Sequence, residues 1–207
     1  MPNDNALLGS RDDGRPTVAV RPAVADEIDA IWRMYAEVCD DMRGKPWDVD
    51  WVMGEHPVRE NLVADIEVGR LLVAVTDTTP QDGHEPGRGT VGANDVLGAV
   101  VINHTQEKGY ELADWSVSAS GDEVAVVHLL AVVPRGRGLG VGRALLEAAA
   151  DFSRARGCLS MRLDVWSTNS HAIGLYRRCG LLDKGVHRLD YGDYSPMDVT
   201  LMELPLV

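Results

Sequence analysis

Apolar residues along this chain keep changing their spacing, and each change marks an element. "TVAVR" (Thr17–Arg21) reads as a short strand closed by Pro22. Beyond Asp26 the spacing lengthens. Ile28, Ile31, Tyr35, Val38, Cys39 and Met42 recur at threes and fours, one apolar face of a helix, until Gly44 and Pro46 break it. "WDVDWVMGEHP" predicts a loop or broken helix, and "VRENLVADIEVG" a second helix ending at Gly69. "RLLVAVTD" and "VLGAVVINH" are dense in β-formers and flank the Gly/Pro-rich loop "TTPQDGHEPGRGTVGAND", an elongated hairpin.

The second half is more regular. "TQEKGYELADWSVSASGDE" has no clear period, and extension is expected near Tyr110–Ser116. "VAVVHLLAVV" is nearly continuous in apolar residues, which predicts a central strand buried on both faces. Val141, Ala144, Leu145, Ala148, Ala149 and Phe152 then restore a helical face that ends at Gly157. "SMRLDVW" is a strand, Ser170 to Cys179 a short helix, and Gly185–Tyr191 and Asp198–Leu204 two closing strands. The order is β-αα-β-β-β-α-β-α-β-β. It predicts a mixed α/β (α+β) domain over residues 17–207, with a mostly antiparallel sheet of about seven strands and helices on both faces. Residues 1–16 are polar and read as a disordered tail.

Composition narrows the functional classes. The 207 residues carry 20 Lys plus Arg against 32 Asp plus Glu, a net charge of −12. That balance argues against nucleic acid or an anionic membrane as a partner. The N-terminus lacks the basic and apolar regions of a signal peptide, and no apolar run is long enough to span a bilayer. Three cysteines without a CxxC pair fit a reducing cytoplasm, with no disulfide framework and no metal site.

The candidate chemistry sits in "VVPRGRGLGVGRALLEAA". Gly136, Gly138, Gly140 and Gly142 interleave with Arg135, Arg137 and Arg143 between a strand and a helix. A P-loop requires a lysine, and none occurs between Lys108 and Lys184. A GxGxxG dinucleotide fingerprint fails in every frame, because its sixth position is Val141, Arg143 or Leu145. Asp164, 22 residues after Gly142, imitates a ribose-binding acid but lacks that frame. What remains is Arg137-x-x-Gly140-x-Gly142 opening a helix. The first amides of a helix have no internal acceptor and sit at its positive end, so glycines there let a pyrophosphate approach.

This loop resembles the acyl-coenzyme-A motif of the GNAT superfamily, the GCN5-related N-acetyltransferases. "NSHAIGLYRRCGL" resembles a second motif of that family through Asn169, Ala172, Leu175, Tyr176 and Gly180, with Leu181 in place of the usual aromatic. The resemblance implies the acyl-CoA N-acyltransferase fold and transfer of an acetyl group from acetyl-CoA to an amine, without a covalent enzyme intermediate. It implies no metal, and a monomer or homodimer. The donor site would be Leu130, Ala131 and Val132, then Arg137, Gly138, Leu139, Gly140, Val141, Gly142 and Arg143, with Asn169, Ala172 and Tyr176. A backbone N–H of Ala131 or Val132 would stabilise the oxyanion. Tyr176, protonated at neutral pH, would be the general acid. Glu123 is the first choice for general base and Asp122 the next; His128 reads as a core histidine. Trp47, Asp48 and Trp51 would meet the acceptor, together with Glu55, His56, Tyr191 and Tyr194. A non-catalytic acyl-CoA binder of the same fold is the competing reading.

Overall fold

The computed structural model describes residues 17–76, 95–191 and 196–207. The expected tail, most of the long hairpin loop and Tyr194 lie outside the described residues. The strands are β1 (Val18–Pro22), β2 (Leu71–Thr76), β3 (Val96–Asn103), β4 (Val124–Val132), β5 (Ser160–Trp166), β6 (Leu182–Leu189) and β7 (Met197–Pro205). They form one sheet in the order β1-β2-β3-β4-β5-β7-β6. Every neighbouring pair is antiparallel except β4–β5. The helices are α1 (Ile28–Met42), α2 (Arg59–Glu67), α3 (Val141–Arg154) and α4 (Ser170–Arg178).

All six residues of β2 are buried, as are the first seven of β3, so this half of the sheet is covered on both faces. The cover comes from α1 on β3 and β4, α2 on β2, and α3 on β1 to β4. The expected face of α1 is the one that packs: Ile31, Tyr35, Val38, Cys39 and Met42 are buried. Among the described residues no helix is long and apolar enough to cross a membrane.

Two irregularities in β4 position everything that follows. Its parallel pairing with β5 covers only Val124↔Ser160, Ala125↔Met161 and Val126↔Arg162. Beyond that point the strands part, and the β5-facing edge of β4 is left without a partner strand. Against β3 the register shifts by one residue between the Ala131 and His128 pairs. The extra residue sits at Leu129, whose φ of 51° is rare for a side chain of its size. The Tyr35 hydroxyl, fully buried, donates to the Leu129 carbonyl at 2.8 Å and holds this bulge.

The segment near Tyr110–Ser116 is not extended. Gly109 turns into the left-handed region (φ 110°) and Tyr110–Leu112 forms a 3-10 turn. The Trp115 indole N–H donates back to the Tyr110 carbonyl (2.8 Å), and the Ser116 and Val117 amides donate to the Glu203 carboxylate (2.6 and 3.3 Å). These tertiary bonds replace the ladder a strand would need. β6 also begins three residues earlier than expected, at Leu182, with an irregular register up to Val186.

Candidate active site

The parted strands open a cavity of about 1450 Å³. β4 lines it from Val127 to Val132 and β5 from Leu163 to Trp166. Its walls continue onto the start of α3, the inner face of α4, and the loop that carries Trp47 and Trp51.

One end is basic. Arg137, Gly138, Gly140, Val141, Gly142 and Arg143 all line it. Gly140 precedes α3 with φ 82°, and no side chain caps the helix, so the amides of Val141, Gly142 and Arg143 have no acceptor within it. A Cβ built on Gly140 would meet nothing within 4 Å, so the approach to those amides is open. Gly142 serves packing instead: a Cβ there would lie 2.8 Å from Leu175 Cδ2 on α4. Arg137 reaches Asp41 of α1 (2.6 Å) and Arg143 reaches Glu147 (2.7 Å). Arg135 ties this loop to Glu37 of α1.

The middle is backbone and one phenol. Val133 N–H donates to the Leu97 carbonyl of β3 at 3.0 Å. Successive N–H groups along a strand point to opposite sides, so the Val132 N–H is turned toward the cavity. Of Ala131 and Val132, this favours Val132 as the exposed donor. Asn169 Oδ1 accepts from the Ala172 amide at 3.1 Å and caps α4, and both residues also line the cavity. Tyr176, 7% exposed, points from α4 into the same space, and among the described residues nothing hydrogen-bonds its hydroxyl. Burial, with Asp164 and Cys179 adding to it, pushes the phenol well above its ordinary range, so it stays protonated.

The other end is acidic and aromatic. Trp47, Trp51, His56, Glu107, His128, Asp164 and Tyr191 line it. Trp47 packs edge-on against His171 and Trp51 against His56, with ring centres 4.9 and 5.5 Å apart. Asp164 accepts from two phenols, Tyr110 on Oδ1 and Tyr191 on Oδ2, each at 2.6 Å. His128 is not a closed core residue. The Thr105 amide donates to Asn103 Oδ1 (2.8 Å), which fixes that amide's orientation. His128 Nε2 then faces two acceptors, Asn103 Oδ1 at 3.0 Å and the Thr105 carbonyl at 3.2 Å, so Nε2 carries the proton. Nδ1 is left as the basic nitrogen. Burial lowers the His128 pKa, against smaller opposing effects of Asp164, the Thr105 backbone and Asp65.

The cavity gathers most of the residues expected at the site; Asp48, Glu55, Asp122, Glu123 and Leu139 do not line it. The Asp48 carboxylate instead accepts from the Gly44 and Asp50 amides (2.7 and 3.0 Å) and shapes its own loop. Glu123 stands before the far end of β4 and accepts from the Ser120 amide at 3.2 Å, capping a 3-10 turn. Its carboxylate therefore does not face the parted strands. Glu107 and Asp164 also line the cavity; no local spacing signals Glu107, and Asp164 stands out in the sequence only by its distance from Gly142. Among the described residues no group of three or more His, Cys, Asp or Glu side chains could hold a metal ion.

The Acetyltransferase (GNAT) family model matches residues 58–181. Streptothricin acetyltransferase of Streptomyces lavendulae is 49% identical over 49 residues, 24% of this chain and 26% of that protein. The chain thus spans about a quarter of that relative's length. Ribosomal protein bS18-alanine N-acetyltransferase of Escherichia coli K12 is 28% identical over 106 residues, 51% of this chain and 72% of that one. Among solved structures, yncA of Salmonella typhimurium, determined with its cofactor acetyl-CoA, superposes with a TM-score of 0.58. It covers 92% of this chain and 95% of its own at 20% identity, a likeness of fold.

Proposed function

Because this chain belongs to the GNAT family of acetyltransferases, we propose that it transfers the acetyl group of acetyl-CoA directly to a primary amine. The observation that carries this reading is continuity. One cavity runs from the uncapped start of α3, past the free edge of β4, to the phenol of Tyr176 and the imidazole of His128. The two relatives above are named for very different acceptors, streptothricin and a ribosomal-protein alanine. Family membership therefore leaves the acceptor to be read from the cavity.

Acetyl-CoA supplies an acetyl group already activated as a thioester, and the residues present fit it. The amides of Val141, Gly142 and Arg143 bind the pyrophosphate, with Gly138 and Gly140 keeping the approach free and Arg137 and Arg143 adding charge. The edge of β4 from Leu130 to Val132 pairs with the pantetheine arm as an added strand. The Val132 N–H donates to the carbonyl oxygen as it gains negative charge. His128 Nδ1 takes the proton from the acceptor's ammonium, leaving a nitrogen lone pair to attack the carbonyl carbon. Tyr176 gives its hydroxyl proton to the sulfur as the carbon–sulfur bond breaks, and the phenolate takes the second proton that the nitrogen sheds as the amide forms. The base thus moves from Glu123, the sequence-based choice, to His128.

Thiol release followed over a panel of amines tests this. We expect turnover with at least one class of amine. Tyr176→Phe should lower kcat by roughly 10²- to 10³-fold with acetyl-CoA affinity kept. Tight acetyl-CoA binding with no turnover on any amine would leave the non-catalytic binder instead.

A further inference from the structure

Asp164 and Glu107 line the same cavity, and neither has an ion pair with Lys or Arg among the described residues. Among the described residues the buried carboxylates are paired: Glu203 meets Arg162 and Lys184, and Asp65 meets Arg70. Asp164 instead accepts only from the neutral phenols of Tyr110 and Tyr191. Two of its four lone-pair positions remain open. Burial, and then the charge of Asp164, push the Glu107 carboxyl above its ordinary range. An acidic wall of this kind could be a mere surface feature. Here it encloses a cavity into which the nine-tenths-buried Tyr176 also points an unpartnered hydroxyl.

The charge balance of the reaction decides what the wall is for. The amine that takes the acetyl group must be neutral when it attacks, and the proton it leaves on His128 is one charge against two carboxylates, so the reacting amine does not balance the wall at that moment. Resting on the acetyl-transfer reading above, we propose that the acceptor is dibasic. Beside the reacting amine it carries a second ammonium or guanidinium, held by Asp164 and Glu107 with Trp51 and Tyr191 beside it. The carboxylates give charge-assisted hydrogen bonds and the rings give cation–π contact. The cavity is then polarised along its length, with arginines for an anionic donor and carboxylates for a cationic acceptor.

The test compares linear diamines of three to six carbons with the monoamines and amino alcohols of equal length, by kcat/KM at pH 7. The best diamine should exceed its monoamine on the order of 10²-fold, the value of one charge-assisted pair. Glu107→Gln and Asp164→Asn should each shrink that ratio about tenfold or more. Glu107 has no ion pair to lose, so its variant keeps the test alive if Asp164→Asn disturbs the Tyr110 packing. Equal kcat/KM for diamines and monoamines would overturn the proposal, as would a diamine preference that survives both substitutions. No turnover with any amine would instead overturn the acetyl-transfer reading, and this inference with it.

Discussion

Leu129 holds a left-handed backbone that costs on the order of 1–3 kcal/mol, and one hydroxyl keeps it there. Burial raises the Tyr35 phenol far above its ordinary range, so it remains a donor to the Leu129 carbonyl at any working pH. Tyr35→Phe should cost about 1–2 kcal/mol in urea unfolding with the m-value unchanged. It should also lower kcat/KM, because the bulge sets which amides of β4 face the cavity. Gly140 makes a complementary case. With φ 82° and no neighbour within 4 Å, Gly140→Val leaves the core alone but strains the loop and covers the amides. Calorimetry should show acetyl-CoA affinity lowered at least ~10-fold. That Arg137, Gly140, Asn169 and Tyr176 share one cavity is legible in the sequence because each lies in a contiguous motif whose spacing is its geometry. Glu123 lies away from that cavity, because adjacency to the central strand says nothing about which end of the strand opens.

At the scale of elements, β4 and the helices were legible because their apolar spacing survives folding. The segment 106–117 was not. Its Tyr, Trp and Val favour a strand locally, but a buried network decides otherwise. Glu203, fully buried, accepts from the Ser116 and Val117 amides and from Ser160 Oγ, with Lys184 Nζ at 3.3 Å. Arg162 lies over the Trp115 ring at 4.3 Å and donates to Gln106 and to the Val117 carbonyl. The partners of this segment come from 45 to 87 residues away, beyond any local pattern. The network holds the segment that carries Glu107 at the cavity and Tyr110 against Asp164, so on the proposed reading it links stability to acceptor binding. Glu203→Gln, which leaves Arg162 and Lys184 without their counter-charge, should cost ~3 kcal/mol or more in unfolding. At temperatures where the variant is still folded, KM for the amine should rise more than KM for acetyl-CoA.

Across the whole molecule the sheet is two halves joined by a short parallel pairing of β4 with β5, and the cavity lies in the gap. The proposed donor contacts come from both sides: α3 packs on β1 to β4, while Asn169 and Tyr176 belong to the α4 side. A ligand in that gap ties the halves together. Acetyl-CoA at 100 times its Kd should add ~2.7 kcal/mol, or roughly 5–10 °C in Tm for a chain of this size. Gly140→Val should lose most of that shift at the same concentration. The titrating groups set a pH signature for the same assembly. His128 must be neutral to accept a proton, and burial lowers its pKa, so kcat/KM should fall only as pH drops below its ordinary value of about 6.5. Asp164 acts on His128 in the opposite direction, so Asp164→Asn should move this acidic limb to still lower pH. Tyr176 is raised, so no loss of the acid form should appear up to about pH 10. An acidic limb that His128→Asn leaves in place would remove His128 as the base.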